Sequence, residues 1–201
     1  MPHSTGLTHA NVRIDEGSQV LAWLHVAHAQ DEAITRAIAG AHGRQSRLVL
    51  YVPKHGIGRA RRLRDAGCGL TLGTDSNAII EPLEEARAVE LDERLSTGIR
   101  GRHAPEDLLQ AATQSGYESL GWPEGGAIRE GALADLVAVN RKSVRLAGAP
   151  PEDAVQALVF AGASADVSDV LVGGRFVVQD GAHTSLDVAQ EISNAIAGLD
   201  P

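Results

Sequence analysis

The hydrophobic positions fall into short blocks of two different periods. Arg47-Leu-Val-Leu-Tyr-Val52 is a nearly continuous apolar run ended by Pro53, the pattern of a buried strand. Gly69-Leu-Thr-Leu-Gly-Thr74 predicts a second strand of the same kind. Between them Ile57 to Ala66 reads as a basic helix, with Gly67 where a left-handed cap is wanted. Strand, helix and strand within about thirty residues form a βαβ unit, so the two strands should be parallel neighbours. Upstream, Ser18 to Ala41 has Val20, Leu24 and Ala27 on one side and Ile34 and Ile38 on another turn, which predicts a helix. Downstream, Pro82 opens a helix to about Leu95, with Glu84 and Glu85 in the first turn where the macrodipole favours anions. Pro105 opens another, running through Leu108, Leu109 and Ala112 to Gly116.

From Trp122 the texture changes to that of a small β module. Ala134-Asp-Leu-Val-Ala-Val139 predicts a strand. Val167–Val172 and Arg175–Gln179 flank Gly173-Gly174, a two-residue hairpin turn that tolerates positive φ at both positions. Ser185 is placed to cap a last helix with Val188, Ile192 and Ile196 at a spacing of four. The expected organisation is an atypical segment over 1–46, an α/β portion over 47–120, a β module over 121–184 and a helix over 185–201.

Composition narrows the class. The 201 residues are 43% hydrophobic, enough for a packed core of one domain or slightly more. With two Phe, two Trp and two Tyr, that core must be built from Val, Leu, Ile and Ala. A formal net charge of −8 argues against a general binder of nucleic acid or anionic membrane. The single Cys68 excludes an intrachain disulfide and a Cys-rich zinc site, and fits a reducing cytoplasm. No apolar run approaches the ~20 residues of a membrane span, and no signal-peptide core follows Met1. Charge is uneven. Residues 1–64 hold nine Lys/Arg against four Asp/Glu, and six of the eight histidines fall before residue 56.

The chemistry concentrates at Leu70-Thr-Leu-Gly-Thr-Asp75-Ser76-Asn77, where a carboxylate stands just past the C-terminal end of a parallel strand. Loops converge there in α/β folds, and Gly73 lets backbone approach a ligand closely. Asp75 could equally cap the following turn. His25 and His28 share a helix face by spacing but lack a placed third ligand. Arg59 to Arg64 reads as a solvated or paired helix face, His103 and His183 as surface residues, and Cys68 as a small apolar filler.

Gly73-Thr-Asp-Ser76 after an apolar strand resembles the eighth-strand motif of the amidohydrolase superfamily. Pro105-Glu-Asp-Leu-Leu-Gln-Ala-Ala-Thr113 resembles the helix that follows its barrel. Gly126-Ala-Ile-Arg-Glu-Gly-Ala-Leu-Ala-Asp-Leu-Val137 resembles its return to a β-sandwich, and Asp169 to Gly181 its closing hairpin. Ile57–Gly67 with Pro82–Leu95 is most similar to formiminoglutamate deiminases. The resemblance runs from about Ile57 to Ile196 and implies a partial (β/α) barrel, a small β-sandwich portion and a C-terminal helix. It implies a C-terminal fragment, with barrel strands one to seven upstream in complete members and the first ~50 residues foreign to the family, as a frame error would leave them.

The same resemblance implies a metal-dependent hydrolase of C–N bonds that converts N-formimino-L-glutamate and water to N-formyl-L-glutamate and ammonia. Zinc would lower the pKa of a bound water towards neutrality. Asp75 would be both metal ligand and proton shuttle. His3, in a stretch faintly similar to the family's sixth-strand motif, would stabilise developing charge. The family's His-x-His is absent, so zinc should be weakly held or absent in the isolated chain. The alternatives are another deaminase or chlorohydrolase of the superfamily, or a non-catalytic remnant. The partner expected is a small formimino amino acid, with no nucleic acid and no membrane. Three or fewer barrel strands cannot close, so open edges should drive homo-oligomerisation.

Overall fold

The structure is a computed structural model that describes residues 57, 60–74 and 79–199, together with the backbone of Leu21–Trp23 and Arg47–Val49. Those two three-residue segments are strands β1 and β2, and Gly69–Thr71 is β3. They form one parallel sheet in the order β1-β2-β3, with Leu21, Arg47 and Gly69 in register and Trp23, Val49 and Thr71 two positions on. The expected parallel pairing of the two predicted strands is therefore present. The helix expected over Ser18–Ala41 is corrected at Leu21–Trp23, where pairing with a strand distant in sequence overrides a helical pattern. The rest of that expected helix lies outside the described residues.

Helix α1 (Ala60–Asp65) ends at a turn through Gly67 into β3. It is followed by α2 (Pro82–Thr97), α3 (Pro105–Ala112) and α4 (Gln114–Ser119). Proline occupies the first helical position of α2 and α3, as expected. The helix expected to run to Gly116 breaks instead at Thr113 (φ −122°, ψ −98°), whose hydroxyl donates to the Leu109 carbonyl at 2.8 Å. A further helix, α5 (Ala154–Ala161), has no counterpart in the sequence reading, because its near-uniform apolar composition carries no helical stripe.

The core lies between these helices and β3. Ala86 of α2, Leu108 of α3 and Val159 of α5 are fully or almost fully buried, and Leu70, Leu72 and Phe160 pack against them. Two contacts fasten α2 to α5: the Arg87 guanidinium donates to the Val159 carbonyl at 3.2 Å and the Gly162 carbonyl at 2.6 Å.

The second part is a four-stranded antiparallel sheet of β4 (Leu136–Val139), β5 (Val167–Val172), β6 (Arg175–Gln179) and β7 (Ala182–His183), in that order. Gly173 and Gly174 turn the β5–β6 hairpin at φ +56° and +76°, as expected for a primed turn. Tyr117 of α4 donates to Asp135 Oδ2 at 2.7 Å while the Gly173 N–H donates to Oδ1 at 2.6 Å, so one carboxylate joins the helical part to the hairpin. The last helix, α6 (Val188–Ala197), is capped by Asp187, whose carboxylate accepts from Gln190 N at 3.1 Å. Ser185, expected to be the cap, stands two residues before it, and its backbone N–H donates to His183 Nδ1 at 3.2 Å. Among the described residues no helix is long and apolar enough to cross a membrane.

Candidate active site

The end of β3 is the place to build a site. Alternation along a strand puts Leu70 and Leu72 on the helix-packed face and Gly69, Thr71 and Gly73 on the opposite one. Thr71 is buried at 4% exposure and its hydroxyl has no hydrogen-bond partner, an orphaned polar atom on that second face. Gly73 is exposed, and a Cβ added there would meet nothing within 4 Å, so the backbone is open to approach. The chain then passes through Thr74 to Asp75.

Asp75 and His3 both lie outside the described residues, as do His25 and His28. Among the described residues no group of three or more His, Cys, Asp or Glu could hold a metal ion. The described donor set therefore does not make a zinc site. Cys68 is buried, as expected of a filler, and burial pushes its thiol above the ordinary range.

The far end of the loop from Asp75 is held by a carboxylate. Glu81 is the N-cap of α2, accepting from Leu83 N at 3.1 Å through Oε1. Its Oε2 accepts from the Ser164 N–H, which belongs to a short 3-10 turn over Ser164–Asp166. That turn is anchored in its own right. Asp166 is 1% exposed, pairs with Arg145 at 2.8 Å and accepts from Ala163 N at 2.9 Å, and the Arg145 guanidinium above all holds its carboxyl down at about 2.

A second polar cluster sits on the helix side. Glu90 is fully buried: Oε1 accepts from Gly101 N at 2.7 Å and Oε2 from His103 N at 2.9 Å. Burial raises its pKa, but those two N–H groups and Arg94 outweigh it and leave the carboxyl below its ordinary value. His103, read from sequence as a surface residue, is 1% exposed, because the turn clamped by Glu90 folds it inward. The arginine-rich helix is paired, as expected: Arg61 with Asp65 and Arg64 with Asp107, both at 2.8 Å. Sequence reasoning missed Glu81 and Glu90 as anchors. Glu81-Pro82 carries the start signal of a helix, whereas nothing local marks Glu90.

Comparison with known proteins fixes the class. The amidohydrolase family model matches residues 15–177. A 5-methylthioadenosine/S-adenosylhomocysteine deaminase of Natronomonas pharaonis is 32% identical over 178 residues, covering 87% of this chain and 40% of its own. A formimidoylglutamate deiminase of Pseudomonas aeruginosa is 32% identical over 185 residues, with the same two coverages. The crystal structure of an adenosine deaminase from Xanthomonas campestris with bound zinc superposes with a TM-score of 0.72 at 22% identity, over 89% of this chain and 41% of that one. The chain belongs to the amidohydrolase family. It spans about 40% of the length of the relatives it matches. Because the family match begins at residue 15, the expectation that the first ~50 residues are foreign to the family is corrected from that position onward.

Proposed function

We propose that the chain forms part of a metal-dependent hydrolase of C–N bonds, with Asp75 as its metal ligand and proton shuttle. One observation carries the reading. β3 belongs to a parallel sheet, and Asp75 lies four residues past its last residue in sequence, after the stretch 72–74 that leaves its C-terminal end. The Asp75 carboxylate would take a proton from the attacking water and return it to the departing nitrogen. Zinc would supply an activated water at neutral pH, and its remaining ligands are not among the described residues. His3 would stabilise charge on the reacting carbon's substituents. The family relationship supports the strands β1–β3 as a section of a (β/α) barrel and β4–β7 as part of a sandwich.

For the substrate we favour a formimino amino acid, N-formimino-L-glutamate, on the Ile57–Gly67 and Pro82–Leu95 patterns and the deiminase of Pseudomonas aeruginosa. An aminopurine nucleoside is the second reading, supported by the deaminase of Natronomonas pharaonis at the same identity. Association into homo-oligomers belongs to the same proposal, supported by the exposed Val188, Ile192 and Ile196 of α6 and Val137, Val172 and Phe176 of the sheet.

Turnover of N-formimino-L-glutamate and 5′-methylthioadenosine tests it, with zinc content measured before and after chelation. The chain by itself should hold zinc weakly. Joined to family barrel strands that restore the histidine ligands, it should turn over the formimino substrate and lose activity on metal removal. Asp75→Asn should then cost about 10²–10⁴-fold in kcat. An Asp75→Asn protein with full turnover would overturn the assignment of Asp75, and turnover of the nucleoside alone would overturn the substrate.

A further inference from the structure

We propose that His103 is the pH-sensing element of a latch that fastens α1 to the α2–α3 pair, and that acidification releases α1.

The observation is a histidine in an unusual position. His103 is 1% exposed, and neither Nδ1 nor Nε2 has a hydrogen-bond partner. Among the described residues, charges reach it from α1, α2 and α3. Arg61 and Arg64 approach from α1, and Glu90 and Glu93 from α2. Asp107, one turn into α3, feels its charge in return. The two glutamates would welcome an imidazolium, but both are already engaged. Glu90 holds two backbone N–H groups and Arg94, and Glu93 pairs with Arg102 at 3.5 Å. Burial and then Arg64 keep the imidazole neutral, below the ordinary histidine range.

A buried base that resists protonation stores a dependence on pH. The closed form takes up a proton less readily than any form in which the ring meets water, so acid favours the open form. Of the three helices whose charges reach the ring, α1 is the shortest. It has six residues, too few for a helix to persist without tertiary contacts. Among its anchors are the buried Ala60 and Leu63, the Arg61 bond to the Arg102 carbonyl and the Arg64–Asp107 pair. Lifting α1 would hydrate the ring, remove both guanidiniums from it and leave the imidazolium facing Glu90 and Glu93. Because α1 runs through Gly67 into β3, the latch also governs how firmly that strand is seated.

Amide hydrogen exchange on the full chain tests this. The reporters are Ala66 N–H and Cys68 N–H, bonded at 3.0 Å to the Arg62 and Leu63 carbonyls, with Gly162 N–H at the end of α5 as reference. Corrected for intrinsic rates, protection at Ala66 and Cys68 should fall about tenfold between about pH 7.5 and 5.5, the limit for one proton on a group of ordinary pKa about 6.5 in the open form. Gly162 should not follow. His103→Gln, which cannot titrate, should flatten the profile. An unchanged profile in His103→Gln, or no fall in the natural protein, would overturn the proposal. Should the variant not fold, the imidazole Cε1–H titration of the natural protein decides: a midpoint below the ordinary histidine value supports the latch, and one at or above it refutes it.

Discussion

Glu90→Gln exchanges one oxygen for an amide in a fully buried site, with almost no change of volume. The natural carboxylate is a pure acceptor for three donors: Gly101 N at 2.7 Å, Arg94 at 3.3 Å and His103 N at 2.9 Å. Glutamine offers one acceptor oxygen, so one backbone N–H must face an NH₂ group with no water to rescue it. Losing one charge-assisted bond costs about 1.5–3 kcal/mol, and weakening of the others raises the total to about 2–4 kcal/mol. At a urea m-value of about 2 kcal/mol/M this moves the unfolding midpoint down by about 1–2 M. The sign with pH follows from the same contacts. The carboxyl is held below its ordinary value, so its contribution is present above that value and lost as pH falls through the folded one. The gap between natural protein and variant should therefore narrow below about pH 4. Urea unfolding at neutral and acid pH measures both. A midpoint shift under about 0.3 M at neutral pH, or a gap that widens in acid, would show that Glu90 does not clamp the turn before α3.

Two further substitutions probe the frame that carries β3. Leu108→Ala should cost about 2–5 kcal/mol, because Leu108 is fully buried between Ala86 and Val159; a loss under about 1 kcal/mol in thermal unfolding would mean that the α2–α3–α5 layer is not packed around it. Gly126→Ala should cost about 2 kcal/mol or more, since Gly126 stands at φ +74° and a Cβ would lie 2.6 Å from the Gln114 backbone; an unchanged melting temperature would exclude that close crossing between α4 and the β module.

Where the signal is local, the sequence by itself was decisive. Proline at the first position of α2 and α3 and paired glycines between β5 and β6 specify backbone geometry within a few residues, and both helix starts and the hairpin turn formed where expected. The strand–helix–strand unit was equally legible, because apolar runs of strand length around a short amphipathic helix allow few other arrangements. The chemistry proposed for Asp75 rests on family resemblance alone, since an aspartate after a strand serves a turn as readily as a metal. Tertiary structure decided the rest. Leu21–Trp23 became a strand because a neighbour about twenty-five residues away offered a ladder. Ala154–Ala161 became a helix because Val159 packs against Ala86 of α2 and Leu108 of α3, and its near-uniform apolar composition hides the stripe that would have announced it. His103 is the clearest case. Nothing within its own segment requires burial, and it is inside because Glu90, thirteen residues earlier, accepts its backbone N–H. Periodicity records how a segment meets its own solvent boundary, whereas contacts between segments are set only when the chain closes on itself.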